Sequence, residues 1–407
     1  MHADAEGFLV RIREVPDDDG PRLIFADWLD EIGDPRGEFI RVQVALARLP
    51  EYDLRSSELL RVEGDLLSRY ADLWAEPFRG LATGPVFRRG FVDEVKVTAR
   101  QFLAHPDQLF AAGPIRHLHL LDAASHLTAV MVSPQLSKLS GLTIYGQHLR
   151  ENLARAIGDS PHLANLKVLR IGRNHIGDAG IERLAAAASL VQLEDVDFCE
   201  NELTEASGRV LGQAPRFGHL RRLELGGNAI GAIGATAIAN SATLPLLDRL
   251  GLAGNRLGVP RLFTVDRPST LLRVGNLDLA GNNLTAAALR VLLGDLTTAG
   301  VRELDLSYND LGDEGVEVLA LSPVVMGLRL LRLTGNNITD AGLERLARSQ
   351  RLSRLNVLDL SHNPIGDDGF RALLESQALR RLCRLVFPGI GISFRMRLAL
   401  ERKYNQQ

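Results

Sequence analysis

Aliphatic residues recur along most of the chain in a fixed arrangement of eleven positions. In the segment LKVLRIGRNHI the apolar residues Leu166, Leu169, Ile171 and Ile176 surround Asn174. The same L-x-x-L-x-L-x-x-N-x-L arrangement returns seven more times, and neighbouring asparagines are always 27 residues apart. The asparagines are Asn174, Asn201, Asn228, Asn255, Asn282, Asn309, Asn336 and Asn363. A period of this length predicts a stack of repeated structural units.

Each unit predicts a strand, a turn, a helix and a return loop. The alternating L-x-L residues are typical of a short strand with one buried face. In segments such as GDAGIERLAAAA and TDAGLERLARS an Asp or Thr near the start is predicted as the N-cap, and apolar residues follow at helical spacing. The asparagine amides should bond backbone groups in the turns, so that stacked copies form a ladder. We therefore predict an α/β solenoid with parallel strands on a concave face and helices on a convex face.

The repeat weakens toward both ends of the chain. LSGLTIYGQHL places Gln147 at the asparagine position, while IRHLHLLDA, VDEVKVTAR and LCRLVFPGI keep only the apolar spacing. Over residues from about 90 to 389 the repeat resembles the ribonuclease-inhibitor-like class of leucine-rich repeats. That resemblance implies a leucine-rich-repeat solenoid shaped as a curved horseshoe. One unit departs from it, because Pro260 and Pro268 should shorten or replace the helix after Asn255.

Residues 1–80 contain no repeat and predict a small all-α domain. The run DWLDEIGDPRGEFI, within residues 6–44, resembles a repeat-companion domain found at the N-terminus of many bacterial repeat proteins. The resemblance implies a bacterial source and pairing with repeats, but no activity. We predict that residues 1–80 also cap the solenoid of residues 81–389 through Leu73, Trp74 and Phe78, and that residues 390–407 form a C-terminal cap.

Composition and charge restrict the partners and the compartment. The formal net charge is −3, and the 47 Lys and Arg residues form no basic stripe, so we predict no nucleic-acid partner. No apolar stretch is long enough to span a membrane, and the N-terminus does not resemble a secretory signal. Cys199 and Cys383 should lie ~35 Å apart in the stack, too far to bridge. We predict a monomeric, reduced cytoplasmic protein.

The chain lacks the motifs of common catalytic and phosphate-binding sites. No G-x-x-x-x-G-K-[ST], H-E-x-x-H or G-x-S-x-G sequence is present. The acidic run 17–19 fails as a calcium loop because Val15 and Ala26 would occupy ligand positions, so we assign it to helix capping. His117 and His119 share one face of a strand, but no third ligand is predictable beside them. We therefore predict no metal, no cofactor and no catalysis.

The strand positions that face solvent form a charged surface on the predicted concave side. Seven acids and four arginines occupy these positions, and small residues such as Gly226, Ala253 and Ala280 lie beside them. The predicted partner-binding residues are Arg170, Asp195, Asp197, Glu224, Asp278, Glu303, Asp305 and Arg332. An acidic trough favours a basic protein partner, which predicts a protein-interaction scaffold. Two alternatives stay open: a regulator or inhibitor of a specific nuclease- or GTPase-type enzyme, as the resemblance implies, and an enzyme whose activity resides in residues 1–80.

Overall fold

The computed structural model describes residues 3–49, 55–258, 274–295 and 300–405 of the 407-residue chain. The chain divides into two compact units, residues 1–147 with 160–166 and residues 148–159 with 167–407. The segment between Pro260 and Pro268, where we predicted a shortened or missing helix, lies outside the described residues.

The first unit begins with four helices, in agreement with the all-α domain predicted for residues 1–80. They are α1 (Ala3–Glu14), α2 (Gly20–Glu31), α3 (Arg36–Arg48) and α4 (Arg55–Ala75). At the start of α2 the Asp18 carboxylate accepts a 2.8 Å hydrogen bond from the Gly20 amide. At the start of α3 the Asp34 carboxylate accepts one of the same length from the Arg36 amide. These acids satisfy amides that the first helical turn leaves unpaired.

A short sheet follows the helices in the first unit. Strand β1 (Thr83–Arg88) pairs antiparallel with β2 (Phe91–Thr98), and β3 (His117–Leu121) and β4 (Gly141–Thr143) then add in parallel. The connections contain α5 (Ala99–Ala104), α6 (Pro106–Ala112) and α7 (Leu127–Met131). At the position equivalent to the repeat asparagine, the Gln147 carboxamide accepts from the Ala123 amide at 2.8 Å and donates to the Leu120 carbonyl at 2.6 Å. Glutamine therefore makes the contacts expected of asparagine in this repeat.

Aromatic rings join the N-terminal helices to the β1–β2 hairpin. Phe25 of α2 stacks on Phe91 of β2 with ring centroids 6.0 Å apart. Phe39 of α3 is fully buried, stacks on Trp74 of α4 at 4.6 Å and meets Phe87 of β1 edge-on at 5.7 Å. Two apolar clusters, one around Phe25 and Phe91 and one around Phe39 and Trp74, thus join the helices to the hairpin.

The buried face of α4 differs by one residue from our expectation. Trp74 and Phe78 are buried, but the prediction that Leu73 helps to cover the repeats is wrong, since Leu73 is 67% exposed. The inward stripe of α4 runs through Leu66, Tyr70 and Trp74, which pack against Phe39 and its neighbours. Leu73 precedes that stripe by one residue and so lies about 100° around the helix from it.

The second unit repeats one strand every 27 residues, and among the described residues a helix follows most of these strands. Its strands pair in parallel and in chain order, with equivalent positions opposite each other, as Val168 is opposite Asp195. They are β5 (Val168–Arg170), β6 (Asp195–Asp197), β7 (Arg222–Glu224), β8 (Arg249–Gly251), β9 (Asn276–Asp278), β10 (Glu303–Asp305), β11 (Leu330–Arg332), β12 (Val357–Asp359) and β13 (Arg384–Val386). The helices are α8 (Glu151–Gly158), α9 (Gly177–Ala186), α10 (Glu205–Gln213), α11 (Gly231–Ala239), α12 (Ala286–Asp295), α13 (Gly312–Leu321), α14 (Asp340–Arg348), α15 (Asp367–Glu375) and α16 (Phe394–Tyr404).

The repeat asparagines lie buried in the turns after the strands. The Asn309 amide nitrogen donates to the carbonyls of Leu306 in its own repeat (2.9 Å) and Leu279 in the preceding one (3.1 Å). Its side-chain oxygen accepts from the backbone amides of Asn282 (3.0 Å) and Leu284 (2.9 Å). One side chain thus satisfies buried backbone groups in two consecutive repeats.

The turn before each asparagine needs a left-handed residue, which the apolar pattern does not reveal. The residue that precedes each of the eight asparagines has positive φ: Arg173, Glu200, Gly227, Gly254, Gly281, Tyr308, Gly335 and His362. Half of these are glycines, which adopt this conformation without steric cost. The others are strained positions that the surrounding repeat holds in place.

The aspartates at the helix starts do not cap their own helices, so that part of our prediction is wrong. Asp178 lies inside the first turn of α9, and its carboxylate accepts from the amide (2.9 Å) and hydroxyl (2.6 Å) of Thr204 in the next repeat. Asp313 makes the equivalent contacts with Thr339, at 2.9 and 2.6 Å. The threonines do cap, since the Thr204 and Thr339 side chains accept from the amides two residues later. The acid of one repeat therefore braces the helix start of the next.

Helix α16 covers the end of the strand stack in the second unit. The Asn405 carboxamide pairs with both backbone groups of Leu385 on β13, at 3.1 and 2.9 Å. The Tyr404 hydroxyl donates to the Leu373 carbonyl at 2.9 Å. The Asn405 bonds occupy backbone groups that the last strand would otherwise leave unpaired, and the Tyr404 bond joins α16 to α15. No helix in the described part of the chain is both long enough and apolar enough to cross a bilayer.

Candidate functional site

The candidate site is the solvent-facing side of strands β5 to β12, which we call the sheet face. In each strand the middle residue is buried and its two neighbours point outward, as Val168 and Arg170 do on either side of Leu169. All eight predicted partner-binding residues lie at these outward positions, where Arg332 is exposed and the other seven are half-buried. Arg222 and Arg249, which were not among them, also face outward and are exposed. The regular register aligns them in rows that cross the strands.

The arginines of the sheet face form ion pairs with acids on neighbouring strands. Asp195 receives two of them, Arg170 at 3.3 Å and Arg222 at 3.0 Å. Arg249 meets Glu224 at 2.8 Å, and Arg332 meets Asp305 at 3.5 Å. Because seven acids face four arginines, this pairing leaves a surplus of negative charge.

The surplus is concentrated in one row, formed by Asp197, Glu224, Asp278 and Asp305, which we call the acidic row. These residues share one register position on β6, β7, β9 and β10. Gly251 occupies that position on β8, and a Cβ atom there would lie 1.8 Å from a Glu224 carboxylate oxygen. The missing side chain lets Glu224 extend across β8 toward Asp278. In the sequence Gly251 is simply an uncharged residue at this register position. In the structure the space above it is occupied by the Glu224 side chain.

Two acids of this row, Glu224 and Asp278, lie in an environment that disfavours their charge. Burial, and then the negative charge of Asp305, raise the pKa of Asp278 above its ordinary value. Burial also raises the pKa of Glu224, and Asp278 and Asp197 add to the effect, against the opposing influence of Arg249. Asp278 keeps one hydrogen bond, from the Ala280 amide at 2.9 Å. A cation bound at the row would therefore stabilise the charged form of these carboxylates.

The small residues beside the acidic row keep its surroundings open. Gly226, Ala253 and Ala280 are half-buried and carry no side chain beyond Cβ. Cys199 belongs to the same column, and burial together with Asp197 raises the pKa of its thiol far above the usual range. A thiol held in its protonated form is a poor nucleophile and a poor metal ligand.

The first unit contains a cluster that sequence reasoning missed. We could not predict a third metal ligand beside His117 and His119 from the sequence, but Glu94 on β2 is directly opposite His117 on β3. One potential ligand atom from each residue lies within 4.8 Å of the others. Burial opposes the charge of Glu94, but His117, His119 and Arg88 together hold its pKa below the ordinary value. The signal was present in the alignment of VDEVKVTAR with IRHLHLLDA.

Comparison with known proteins identifies the repeat. Five segments match a family model described as leucine-rich repeat: residues 162–185, 219–239, 301–320, 328–347 and 353–374. No curated protein shows significant sequence similarity to the chain.

Solved structures with related folds are distant. A TLR13 chain, solved as a TLR13–ssRNA13 complex, is 19% identical with a TM-score of 0.45, and the match covers 70% of this chain but only 37% of the TLR13 chain. An internalin (inlF) from Listeria monocytogenes str. 4b F2365 is 16% identical with a TM-score of 0.41, and the match covers 82% of this chain and 93% of the internalin. The 27-residue period, the strand–turn–helix unit and the family matches together identify the chain as one built from leucine-rich repeats.

Proposed function

We propose that this protein is a non-catalytic interaction scaffold whose sheet face binds a basic segment of another protein. The observation that carries the proposal is the acidic row, in which four acids share one register position. Arg249 pairs with Glu224 and Arg332 with Asp305, so two arginines meet four acids and the row keeps a negative surplus. Leucine-rich repeats in general serve as interaction scaffolds, and repeat stacks commonly bind on an extended surface of this kind.

The energetics of the row favour a cationic partner. Glu224 and Asp278 are half-buried, and burial raises the pKa of both, with a smaller contribution from the negative charge of neighbouring acids in the row. Lysine or arginine side chains placed over the row would relieve that repulsion and exchange it for attraction. Complementary charge acts mainly on the rate of association and on register. A nucleic acid would meet the same surplus with like charge, which supports a protein partner.

The sequence resemblances and the two cysteines support a source and a compartment for this protein. The resemblance to the ribonuclease-inhibitor-like class and, over residues 6–44, to a repeat-companion domain supports a bacterial protein. The unbridged Cys199 and Cys383 support a reducing compartment such as the cytoplasm. We retain protein binding without catalysis because the Cys199 thiol, a potential nucleophile on the sheet face, is held protonated.

Affinity capture followed by kinetics tests this function. The full chain, immobilised, is exposed to lysate of its source cell, and the partner it retains is purified. We expect its association rate to fall at least about tenfold between about 0.05 and 0.5 M salt, because screening removes electrostatic steering. A partner whose association rate does not change with salt would contradict binding that is driven by the charge of the sheet face.

The acidic row also predicts a conflict between binding and stability. Because the pKa of Asp278 is raised on folding, the folded chain holds this proton more tightly than the unfolded chain, so stability declines as pH rises through that pKa. At neutral pH the charged carboxylate is therefore unfavourable. Asp278→Asn keeps an oxygen for the Ala280 amide, and we expect an unchanged or higher urea midpoint together with slower partner association.

Asp359→Asn is the matched control for this variant. Asp359 makes the same bond to the amide two residues later, that of Ser361 at 2.9 Å, but its register neighbours are Arg332 and Val386 rather than acids. Asp359 also accepts a 2.7 Å hydrogen bond from the Ser361 hydroxyl and has no acid as a register neighbour, so its loss should bring no gain in stability. A lower urea midpoint for Asp278→Asn than for Asp359→Asn would make Asp278 a structural residue instead.

A further inference from the structure

We propose that Glu94, His117 and His119 form a binding site for a divalent transition-metal ion in the first unit. Glu94 on β2 and His117 on β3 are register partners, and His119 is two residues further along β3. Between the histidines, Leu118 points into the core and is fully buried, so both imidazoles lie on the opposite face of the sheet. The two rings are 5.2 Å apart, centroid to centroid.

The distances suit a small ion bound by three protein ligands. His119 Nε2 lies 2.6 Å from Glu94 Oε1, and the ligand atoms of the whole cluster lie within 4.8 Å of one another. Around a tetrahedral zinc ion with bonds of about 2.0 Å, ligand atoms are about 3.3 Å apart. Movements of the order of 1 Å, within the reach of side-chain rotation, would therefore place all three on one ion.

The donor set selects the class of metal. Two imidazoles and one carboxylate suit zinc and its neighbours in the first transition row, and three protein ligands leave a position for water or a partner side chain. Calcium requires six to eight oxygen ligands, and magnesium also prefers oxygen. Zn²⁺ is therefore the appropriate probe, and Ca²⁺ and Mg²⁺ are negative controls.

Neighbouring residues hold the ligands in place. Thr143 Oγ on β4 is 2.8 Å from His117 Nε2, which fixes the orientation of that ring. Gly141 provides the space for the ring, because a Cβ atom there would lie 2.2 Å from His117 Nδ1. Arg88 approaches the second Glu94 oxygen at 3.6 Å, on the side away from His119. Metal-binding histidines in proteins usually have such outer contacts.

The cluster is enclosed but remains accessible. His117 is 8% exposed, and the side chains of Glu94 and His119 are 11% and 22% exposed. Water is therefore largely excluded from the ligands, while His119 leaves an approach from solvent. The alternative is a structural network in which His119 and Glu94 simply form an ion pair and His117 bonds Thr143. The two readings differ in whether the full chain binds zinc.

Calorimetric titration of the metal-free full chain with Zn²⁺ tests the proposal. We expect one saturable site per chain and no heat of binding with Ca²⁺ or Mg²⁺. Losing an outer contact to a ligand typically lowers metal affinity about 10- to 100-fold, so removing a ligand in Glu94→Gln or His119→Gln should lower it by about 100-fold or more. Thr143→Val, which removes the outer contact, should lower it about tenfold.

Two control variants address binding at other sites. His175 bonds His148 and Glu202 at 2.7 Å each on the exposed surface of the second unit, so His175→Gln removes the other histidine cluster near a carboxylate. Cys383→Ser removes the exposed thiol. Both should bind zinc as the wild type does. Circular dichroism tests whether each variant is folded. If Glu94→Gln is unfolded, the zinc affinity of His119→Gln decides between the two readings.

A Co²⁺ spectrum gives a second readout of the ligands. Cobalt in this site should absorb in the visible range without the sulfur-to-metal band that thiolate ligands produce, and the absorption should vanish in His119→Gln. The proposal is overturned if the wild type shows no saturable zinc binding. It is equally overturned if binding survives both ligand substitutions, or if His175→Gln or Cys383→Ser abolishes it.

Discussion

Replacing Phe39 by alanine should lower the free energy of unfolding of the N-terminal helices by about 3–5 kcal/mol, the usual cost of emptying a buried aromatic position. Phe39 is fully buried and contacts Trp74 on α4 and Phe87 on β1, so one ring joins two helices to the first hairpin. Its loss leaves a cavity that these rigid neighbours cannot close. The same change should weaken the attachment of the helices to the β1–β2 hairpin.

Tryptophan fluorescence during urea unfolding measures this directly, because the two tryptophans, Trp28 and Trp74, both belong to the N-terminal helices. Leu73→Ala is the control: it lies beside Trp74 on α4, but the side chain is 67% exposed. Its effect should stay within about 0.5 kcal/mol. Equal midpoints for the two variants would show that the helices do not depend on this core.

Replacing Asn309 by alanine should destabilise the second unit by about 1–3 kcal/mol, with the upper end expected because several buried groups lose partners together. The substitution leaves the amides of Asn282 and Leu284 and the carbonyls of Leu279 and Leu306 without the side chain that joins them. Two consecutive repeats are affected. Asn228→Ala should behave alike, since Asn228 bonds Phe198, Leu225, Asn201 and Leu203 in the same way.

Circular dichroism follows this unfolding, because the repeats contain no tryptophan. Asn309→Asp retains the oxygens but turns the donating nitrogen into a charged acceptor facing two carbonyls, so it should cost more than alanine. Asn356→Ala, at an exposed position outside the ladder, should have little effect. If Asn309→Ala matches Asn356→Ala, the buried amides do not hold the repeats together.

The repeating part of the fold could be predicted because its information is local and periodic. A constant spacing of 27 residues places every strand and every ladder asparagine at equivalent positions, so one unit predicts the rest. The same register placed Asp197, Glu224 and Asp278 on one face without any structure. Their charge could be counted from the sequence, but their burial could not.

The features that the sequence did not reveal depend on contacts between neighbouring repeats. Asp178 has a sequence environment typical of an N-cap, yet it bonds Thr204, which is 26 residues away. Glu94 was missed for a related reason: it is 23 residues before His117, so the 27-residue period does not align them. Aligning the apolar positions of VDEVKVTAR and IRHLHLLDA would have placed them opposite each other, as the pairing of β2 with β3 shows.

The central claim, that the acidic row binds a basic protein, is tested most directly by reversing its charge. The association rates of the captured partner are compared for the wild type, for Asp278→Lys with Asp305→Lys, and for Glu182→Lys with Glu344→Lys. The last pair changes the net charge equally, but on helices α9 and α14, where Glu182 is exposed and Glu344 is half-buried beside Arg348. We predict that the reversal on the sheet face slows association at least about tenfold, while the helix reversal leaves it near the wild-type rate. Equal rates for the two double variants would contradict the sheet face as the binding site.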